Sequence, residues 1–462
     1  MLKVPHRILL LIKKCFSSDM LQDYYNINRP WCYTNSGRIR QKDNLKSKDE
    51  RVNNGTNSRL KRDQSKSTNG QFEFSLMTFN CLSQDLIARH TEMYVNCPRG
   101  SLDWPLRRDR LARELSDSNP DIVCLQEVNY GHHGQFYKPF FTSLGYSGIY
   151  KKRTGSMYDG CAFFYKTSKF TLLDKIELEF YRCDLTSLLN RDNIAIIGVL
   201  KPLIQSSNGT NGLDSNRLIV ATTHLLFNPS RGDVKLAQLR LLLAELDQLI
   251  NSFNETGKYK TNVILCGDMN SVPYSPLYNF ITTGSLDTSG YQCGDLSGQL
   301  EGTGHGKLFR PSDLKLEGIN HLTRYVSNQN EKQSNVNNGR KDNWRDNNTV
   351  KSKNEKYTRK DFLKTNDIDE RTDQNSQLIK HNFKFSSVYP ATDVNNLPFI
   401  TTHHGTGSCM VDYIFYNRSD SLELLGYTRL LNSEQMARIG CLPNLFIGSD
   451  HLSLQAKFLI KG

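Results

Sequence analysis

The chain has 462 residues, 37% of them hydrophobic, enough for one large domain or two to three ordinary ones. Its formal net charge of +12 sits in two segments: residues 1–71 hold 15 Lys/Arg against 6 Asp/Glu, residues 325–380 hold 12 against 9, and the remainder is neutral, so the basic balance does not describe a pocket. No apolar run approaches the roughly 20 residues of a membrane helix, and 11 Cys without a CxxC pair argue against a zinc site and a disulfide framework, for a reducing compartment.

Residues 1–16 carry Lys3, Arg7, Lys13 and Lys14, no acid and the apolar run 8–12, which suits a mitochondrial presequence or a failed signal peptide. Residues 17–71 are rich in Asn, Ser, Lys and Arg with little apolar periodicity and are expected to be disordered. As a whole, 1–71 reads as a basic arm that targets the chain, attracts RNA or an anionic membrane, or is simply solvated. The localisation expected is cytoplasmic, with mitochondrion and nucleus as alternatives.

The fold is expected to start near Phe72 with a strand through Phe74, Leu76 and Phe79 that ends at Asn80, then a helix over 83–94. A helix over 105–115, with Leu106, Leu111 and Leu115 facing inward, is broken by Pro120-Asp121. Residues 122–125 form a buried strand that delivers Gln126 and Glu127. A short helix over 136–144 and strands at 146–150, 160–165 and 170–173 follow. Strands 193–201 and 217–223 form a hairpin with a long polar tip, the second running into Thr222-Thr223-His224. The clearest helix, 235–250, carries the apolar stripe Leu236, Leu239, Leu243, Leu246 and Ile250. The strand 262–266 ends in Gly267-Asp268-Met269-Asn270, followed by a short helix at 277–282.

Residues 284–324 are ambiguous, and 325–380, with 11 Asn, read as a disordered surface insertion. The fold resumes near Phe383, with Asp412 inside a strand over 410–416 and a last strand at 455–460 just after Ser449-Asp450-His451. About ten strands interleaved with helices fit an α/β domain, 72–462, built on two packed sheets.

One pattern recurs: apolar residues, then polar groups at a strand end. Asn80, Glu127, His224, Asp268 with Asn270, and Asp450-His451 all show it. Singly, each has an ordinary reading: a helix cap for Asn80, a surface ion pair for Glu127, a core histidine for His224, a loop for Asp450-His451. Asp412, in Val-Asp-Tyr-Ile-Phe, needs a partner because an unpaired buried carboxylate is costly. Together the types are complementary. Glu127 and Asn80 offer oxygen donors of the kind magnesium takes, and His451 with Asp412 suits an acid–base pair. No Gly-rich Lys-Ser/Thr phosphate loop is present, which argues against a nucleotide cofactor.

The ordered stretches Phe79-Asn80, Leu125-Gln126-Glu127, Thr223-His224-Leu225, Gly267-Asp268-Met269-Asn270, Asp412-Tyr413-Ile414-Phe415 and Ser449-Asp450-His451 resemble the endonuclease/exonuclease/phosphatase superfamily. Within it, Leu82-Ser83-Gln84-Asp85-Leu86, Arg153-Thr154-Gly155, Asn228-Pro229-Ser230-Arg231-Gly232-Asp233-Val234-Lys235 and Ser275-Pro276-Leu277-Tyr278 resemble the Angel proteins of the CCR4/nocturnin group. The resemblance implies a four-layer α/β/β/α sandwich of two mixed sheets flanked by helices. It also implies magnesium (manganese as the alternative) on Glu127, with Asn80 and Asp450 beside it.

By the same resemblance, Asp268 orients or deprotonates water and Asn270 stabilises developing charge. His451, paired to Asp412, contacts phosphate, and His224 donates to a phosphate oxygen or the leaving group. Asn228 is implied as a substrate contact, and Arg153, Arg182 and Arg191 are candidates for phosphate contacts. His403 and His404 depart from the pattern and read as a loop contact, with a phosphate contact by one of them as the alternative. The implied substrate is RNA 3′ ends: 2′,3′-cyclic phosphate removal or 3′ trimming, against a poly(A)-specific deadenylase, an inositol or lipid phosphatase, or a non-catalytic RNA-binding protein.

Overall fold

The computed structural model describes residues 29–38, 70–203, 212–310 and 378–462. The presequence-like stretch and almost all of the Asn-rich insertion lie outside the described residues.

Seven strands form the first sheet: β1 (Trp31–Tyr33), β2 (Gln71–Asn80), β3 (Ile122–Asn129), β4 (Tyr146–Lys152), β5 (Asp159–Lys166) and, from the C-terminal part, strands Leu422–Thr428 and Leu454–Lys461. The second sheet has six: β6 (Phe170–Glu179), β7 (Ile194–Pro202), β8 (Asn216–His224), β9 (Lys260–Asp268), β10 (Phe385–Ser387) and β11 (Asp412–Asn417). With β12 for Leu422–Thr428 and β13 for Leu454–Lys461, the strand orders are β1-β12-β13-β2-β3-β5-β4 and β10-β11-β9-β8-β7-β6. The pairs β2–β3 and β8–β9 are parallel; each is joined through a helix, as a parallel pair requires. These helices are α1 (Gln84–Arg89) with α2 (Trp104–Ser118) in the first crossover, and α3 (Gly232–Asn254) in the second. The expected sandwich is the fold observed.

Strand alternation explains the layers. Met77, Phe79, Val123 and Leu125 pack outward with Leu111 and Leu115 of α2. Their neighbours Phe74, Leu76, Ile122 and Cys124 pack inward against the second sheet. Along each inward face the chemistry changes in one direction. Phe74 and Leu76 give way to Thr78 and Asn80, Ile122 and Cys124 to Gln126, Leu218 and Val220 to Thr222 and His224, and Ile264 and Cys266 to Asp268. Gln126 Nε2 donates to Thr222 Oγ1 across the sheets at 2.9 Å and to Thr78 Oγ1 at 3.1 Å. Above that seam the core ends and the site begins.

Several expectations are corrected. Residues 17–71 are not uniformly without structure: β1 pairs antiparallel with β12, and Lys457 Nζ sits 4.5 Å over the Trp31 ring. The insertion does not reach 380, because Leu378–Lys380 pairs with Ser285–Asp287. Leu106 faces out, 46% exposed, while Leu111 and Leu115 are buried. Helix α3 is buried on more than one stripe, Leu241, Leu242 and Leu249 included, since β9 lies against one side and residues 293–297 against its first turn. The ten cysteines among the described residues are all free. No helix among these residues is long and apolar enough to cross a membrane.

Candidate active site

Asp268 ends β9 and is the hub. Its Oδ1 accepts the Asn270 N–H at 2.9 Å, and its Oδ2 accepts Asn80 Nδ2 at 3.1 Å. His224 Nε2 lies 3.5 Å from Oδ2 and His451 Nε2 3.9 Å from it. His224 reaches this position because β8 and β9 are parallel and in register, pairing His224 with Asp268. The close approach needs Gly267: its φ is +128° and a Cβ there would stand 2.0 Å from the Thr223 carbonyl oxygen.

Asp412 was expected inside a strand; it is the first residue of β11. Because β11 runs antiparallel to β9, its start lies at the site end, with Asp412 opposite Asp268. Asp412 Oδ2 is 2.7 Å from His451 Nδ1, while Oδ1 is buried without a hydrogen-bond partner. Burial works against an imidazolium at 451, yet the Asp412 carboxylate, joined by Asp450 and Asp268, holds the pKa well above the ordinary histidine value. Asp412 thus fixes Nδ1 of His451 and leaves Nε2 turned toward Asp268.

Glu127 arrives by an irregularity. Gln126 already faces inward, so Glu127 should face out. The β3–β5 register slips between Leu125 and Val128, and Glu127 takes φ +53°. This bulge re-aims the side chain. Oε1 accepts Asn80 Nδ2 at 3.0 Å and Oε2 accepts the Ser83 N–H at 3.0 Å. His224 Nδ1 is 3.9 Å from Oε1 and has no hydrogen-bond partner. Burial raises the Glu127 pKa, His224 opposes the rise, and the nearby Asp450 and Asp159 add to it. Asn80 is thus a bridge between Glu127 and Asp268, with its Oδ1 accepting Leu82 N–H rather than capping α1. Asp450 Oδ2 accepts the Tyr94 hydroxyl at 2.9 Å, and Ser449 Oγ ties this loop to the Asn80 carbonyl at 2.6 Å.

Asn270 has φ +45°; its Nδ2 donates to Leu225 O at 3.0 Å. Lys235, fully buried at the start of α3, donates to Asn270 O and to Gln299 Oε1, both at 2.6 Å. Burial pushes this amine down to about 7. In the sequence Lys235 only belongs to a helix start; nothing local announces a buried amine beneath the Asp268–Asn270 turn.

The substrate candidates are more scattered. Arg153 pairs with buried Asp159 at 3.4 Å, leaving Nε without a partner. Arg182 holds Asp184, Arg191 holds Asn190, and Asn228 Oδ1 accepts Ser230 N–H at 2.9 Å. No hydrogen bond or ion pair joins these four to the Asp268 group among the described residues. His403 and His404 lie on the strand Thr402–His404, where His403 N–H donates to Asp450 O at 2.9 Å.

The profile of the Endonuclease/Exonuclease/phosphatase family matches residues 77–451. The chain belongs to this family. It falls in the Angel group of the family: protein angel homolog 2 of Bos taurus is 36% identical over 414 residues, 85% of this chain and 70% of that protein. Protein angel homolog 1 of Homo sapiens is 35% identical over 448 residues, 84% of this chain and 63% of its own length. The crystal structure of ANGEL2, a 2′,3′-cyclic phosphatase, in complex with adenosine-2′,3′-vanadate aligns with a TM-score of 0.66 and 34% identity, covering 84% of this chain and 96% of that one. The Angel-type chain is accordingly a phosphoesterase, a hydrolase.

Family members are generally dependent on a divalent metal, and the residues present fit one. Burial raises the pKa of the half-buried Glu127, with the nearby Asp450 and Asp159 adding to it and His224 opposing it; a hard cation among these oxygen donors would favour the carboxylate. Asp268, Asp412 and His451 also offer ligand atoms within 4.8 Å of one another. There the 2.7 Å His451–Asp412 hydrogen bond already commits two of the three, so that trio is better suited to moving a proton.

Proposed function

We propose that this Angel-type phosphoesterase acts on RNA 3′ ends, hydrolysing 2′,3′-cyclic phosphate, with 3′ trimming as the second activity. The observation that carries this is the convergence of Asn80, His224, His451 and Asn270 on the Asp268 carboxylate at the polar end of the core. Relatives of this kind include a cyclic phosphatase solved with a nucleoside vanadate, which supports the substrate class.

Glu127, with Asn80 and Asp450, would hold magnesium, manganese being the alternative; the ion supplies Lewis-acid polarisation of a phosphoryl oxygen. Asp268 orients the attacking water through Oδ2 and takes its proton. His451, anchored by Asp412, donates from Nε2 to a phosphate oxygen and stabilises charge developing there. His224, with Nδ1 free, donates to the leaving oxygen. One N–H of the Asn270 amide is held by Leu225 O, which leaves the other to face the phosphate. Among the arginines, Arg153, paired with Asp159, is the proposed phosphate contact.

The deciding experiment incubates purified protein with RNA oligomers ending in hydroxyl, 3′-phosphate or 2′,3′-cyclic phosphate, with and without EDTA and added magnesium. Conversion of the cyclic end only, lost with chelation and restored by magnesium, is the expected result. Shortening of hydroxyl-ended poly(A) instead would make the chain a deadenylase. Turnover indifferent to chelation would remove Glu127 from its role.

A further inference from the structure

Apolar rings on a surface are ordinary when they are scattered singly. Here they are not scattered. Five aromatic side chains are exposed among the described residues: Tyr130 (62%), Tyr158 (59%), Tyr181 (53%), Phe227 (51%) and Tyr274 (69%). Every one lies on a segment that leaves or enters a strand at the site end. Tyr130 stands three residues past Glu127, Phe227 three past His224, Tyr274 four past Asn270, Tyr158 next to Asp159, and Tyr181 just beyond the end of β6. The exposed apolar residues at the opposite end, Leu144, Leu173 and Leu203, are aliphatic.

Three of the rings belong to one continuous rim. The Tyr130 N–H donates to the Tyr158 carbonyl at 2.8 Å. Met157, next to Tyr158, meets Arg89 Nη1 with its sulfur at 3.8 Å. His90 follows Arg89, and its ring lies 6.3 Å from that of Phe227. The rim thus runs from the Glu127 strand end, over the tip of the 153–158 loop and the end of α1, to the His224 strand end. Arg89 makes no ion pair among the described residues, so a cation stands free in its middle.

We propose that Tyr130, Tyr158 and Phe227 stack the unpaired bases of a single-stranded RNA whose 3′ end enters the site, with Arg89 on its backbone. The inference rests on the reading of the site as an RNA-end phosphoesterase and gives that site its preference for a strand over a mononucleotide. Aromatic faces interleaved with a cation suit the bases and phosphates of a single strand. Base identity is not read, because stacking uses faces that every base has.

The test measures anisotropy of a labelled single-stranded RNA, and of the same strand with abasic residues near its 3′ end, in the Asp268→Asn background so that nothing is cleaved. Combining Tyr130→Ala, Tyr158→Ala and Phe227→Ala is expected to weaken binding of the normal strand by roughly tenfold per stacked base lost. The abasic strand is expected to bind parent and variant alike. Unchanged affinity for the normal strand, or an equal loss for the abasic one, overturns the inference. So does a change in oligomeric state or in binding to anionic vesicles in place of RNA affinity. With Asp268 restored, hydrolysis of a mononucleoside 2′,3′-cyclic phosphate is expected to be the same with and without the three rings. If neither form hydrolyses it, the enzymatic reading fails, while the binding result still decides the rim. The rings are more than half exposed, so unchanged thermal unfolding checks the fold of the variant.

Discussion

Asp121 and Glu127 stand at the two ends of one strand, six residues apart, and both are largely buried carboxylates. At the far end, Asp121 accepts Lys169 Nζ at 2.8 Å, Lys166 Nζ at 3.2 Å and the Ser75 N–H at 2.9 Å. Burial alone would push its pKa up, but the two lysines and Ser75 outweigh it and hold the carboxyl below its usual range. At the site end, Glu127 has two N–H donors and a histidine at 3.9 Å, and no Lys or Arg ion pair among the described residues. Its pKa moves the other way, raised first by burial. The same strand thus carries one acid whose charge the fold neutralises and one whose charge it leaves available. Uncompensated buried charge is costly in a structure, and the cation proposed at Glu127 would offset that cost.

That contrast is broken or sharpened by substitution. Glu127→Gln should lower phosphoester turnover by roughly 10³-fold, as should Asp268→Asn, on the scale of losing one preorganised electrostatic group. Since the raised pKa means that the folded chain disfavours the carboxylate above its unfolded pKa, Glu127→Gln should leave thermal unfolding at neutral pH unchanged or slightly higher. A variant that unfolds much earlier would make Glu127 a structural acid like Asp121. Asp121→Asn should do the reverse: full specific activity, with stability lower by about 1–3 kcal/mol in denaturant melts. The Asp121 contribution is present above its unfolded pKa and is lost as pH falls through that value toward the lower folded one, so parent and variant should converge in acid.

Lys235 supplies an intermediate case, a buried cation near the site. Its folded pKa of about 7 lies below the ordinary 10.5, so the unfolded chain binds the extra proton between those values and stability rises with pH across that window. Between pH 7 and 9 the parent should gain about 2 kcal/mol relative to Lys235→Met in urea melts. Parallel curves would show the amine to be charged throughout. The smallest effect is expected from deleting residues 1–38. This removes β1 and the Trp31–Lys457 contact, for a loss of about 1 kcal/mol by differential scanning calorimetry, with turnover unchanged. A larger loss would make the N-terminal segment part of the core.

Much of the site was legible before the structure because strands announce themselves locally. Asn80, His224 and Asp268 end runs of apolar residues, and the inward faces grade from Phe74 to Asn80 and from Leu218 to His224 with a period of two. Leu106 misled because its helical spacing is compatible with burial, while the first turn of α2 stands clear of the outer layer. β1 was missed because a three-residue edge strand has no periodicity to read.

By itself, then, the chain's order of residues determined the family, the alternation that makes two inward faces, and which polar types gather at strand ends. Other facts came from pairing between distant segments. The antiparallel register of β11 on β9 places Asp412 opposite Asp268 and not mid-sheet. The bulge against β5 turns Glu127 inward beside Gln126. The packing of residues 293–299 over α3 leaves Lys235 in the dark beneath Asn270. Side-chain direction follows local backbone period only while a ladder is regular. Where a partner strand shifts register, or a distant loop removes the solvent, direction and charge state are set by segments that no short stretch of sequence contains.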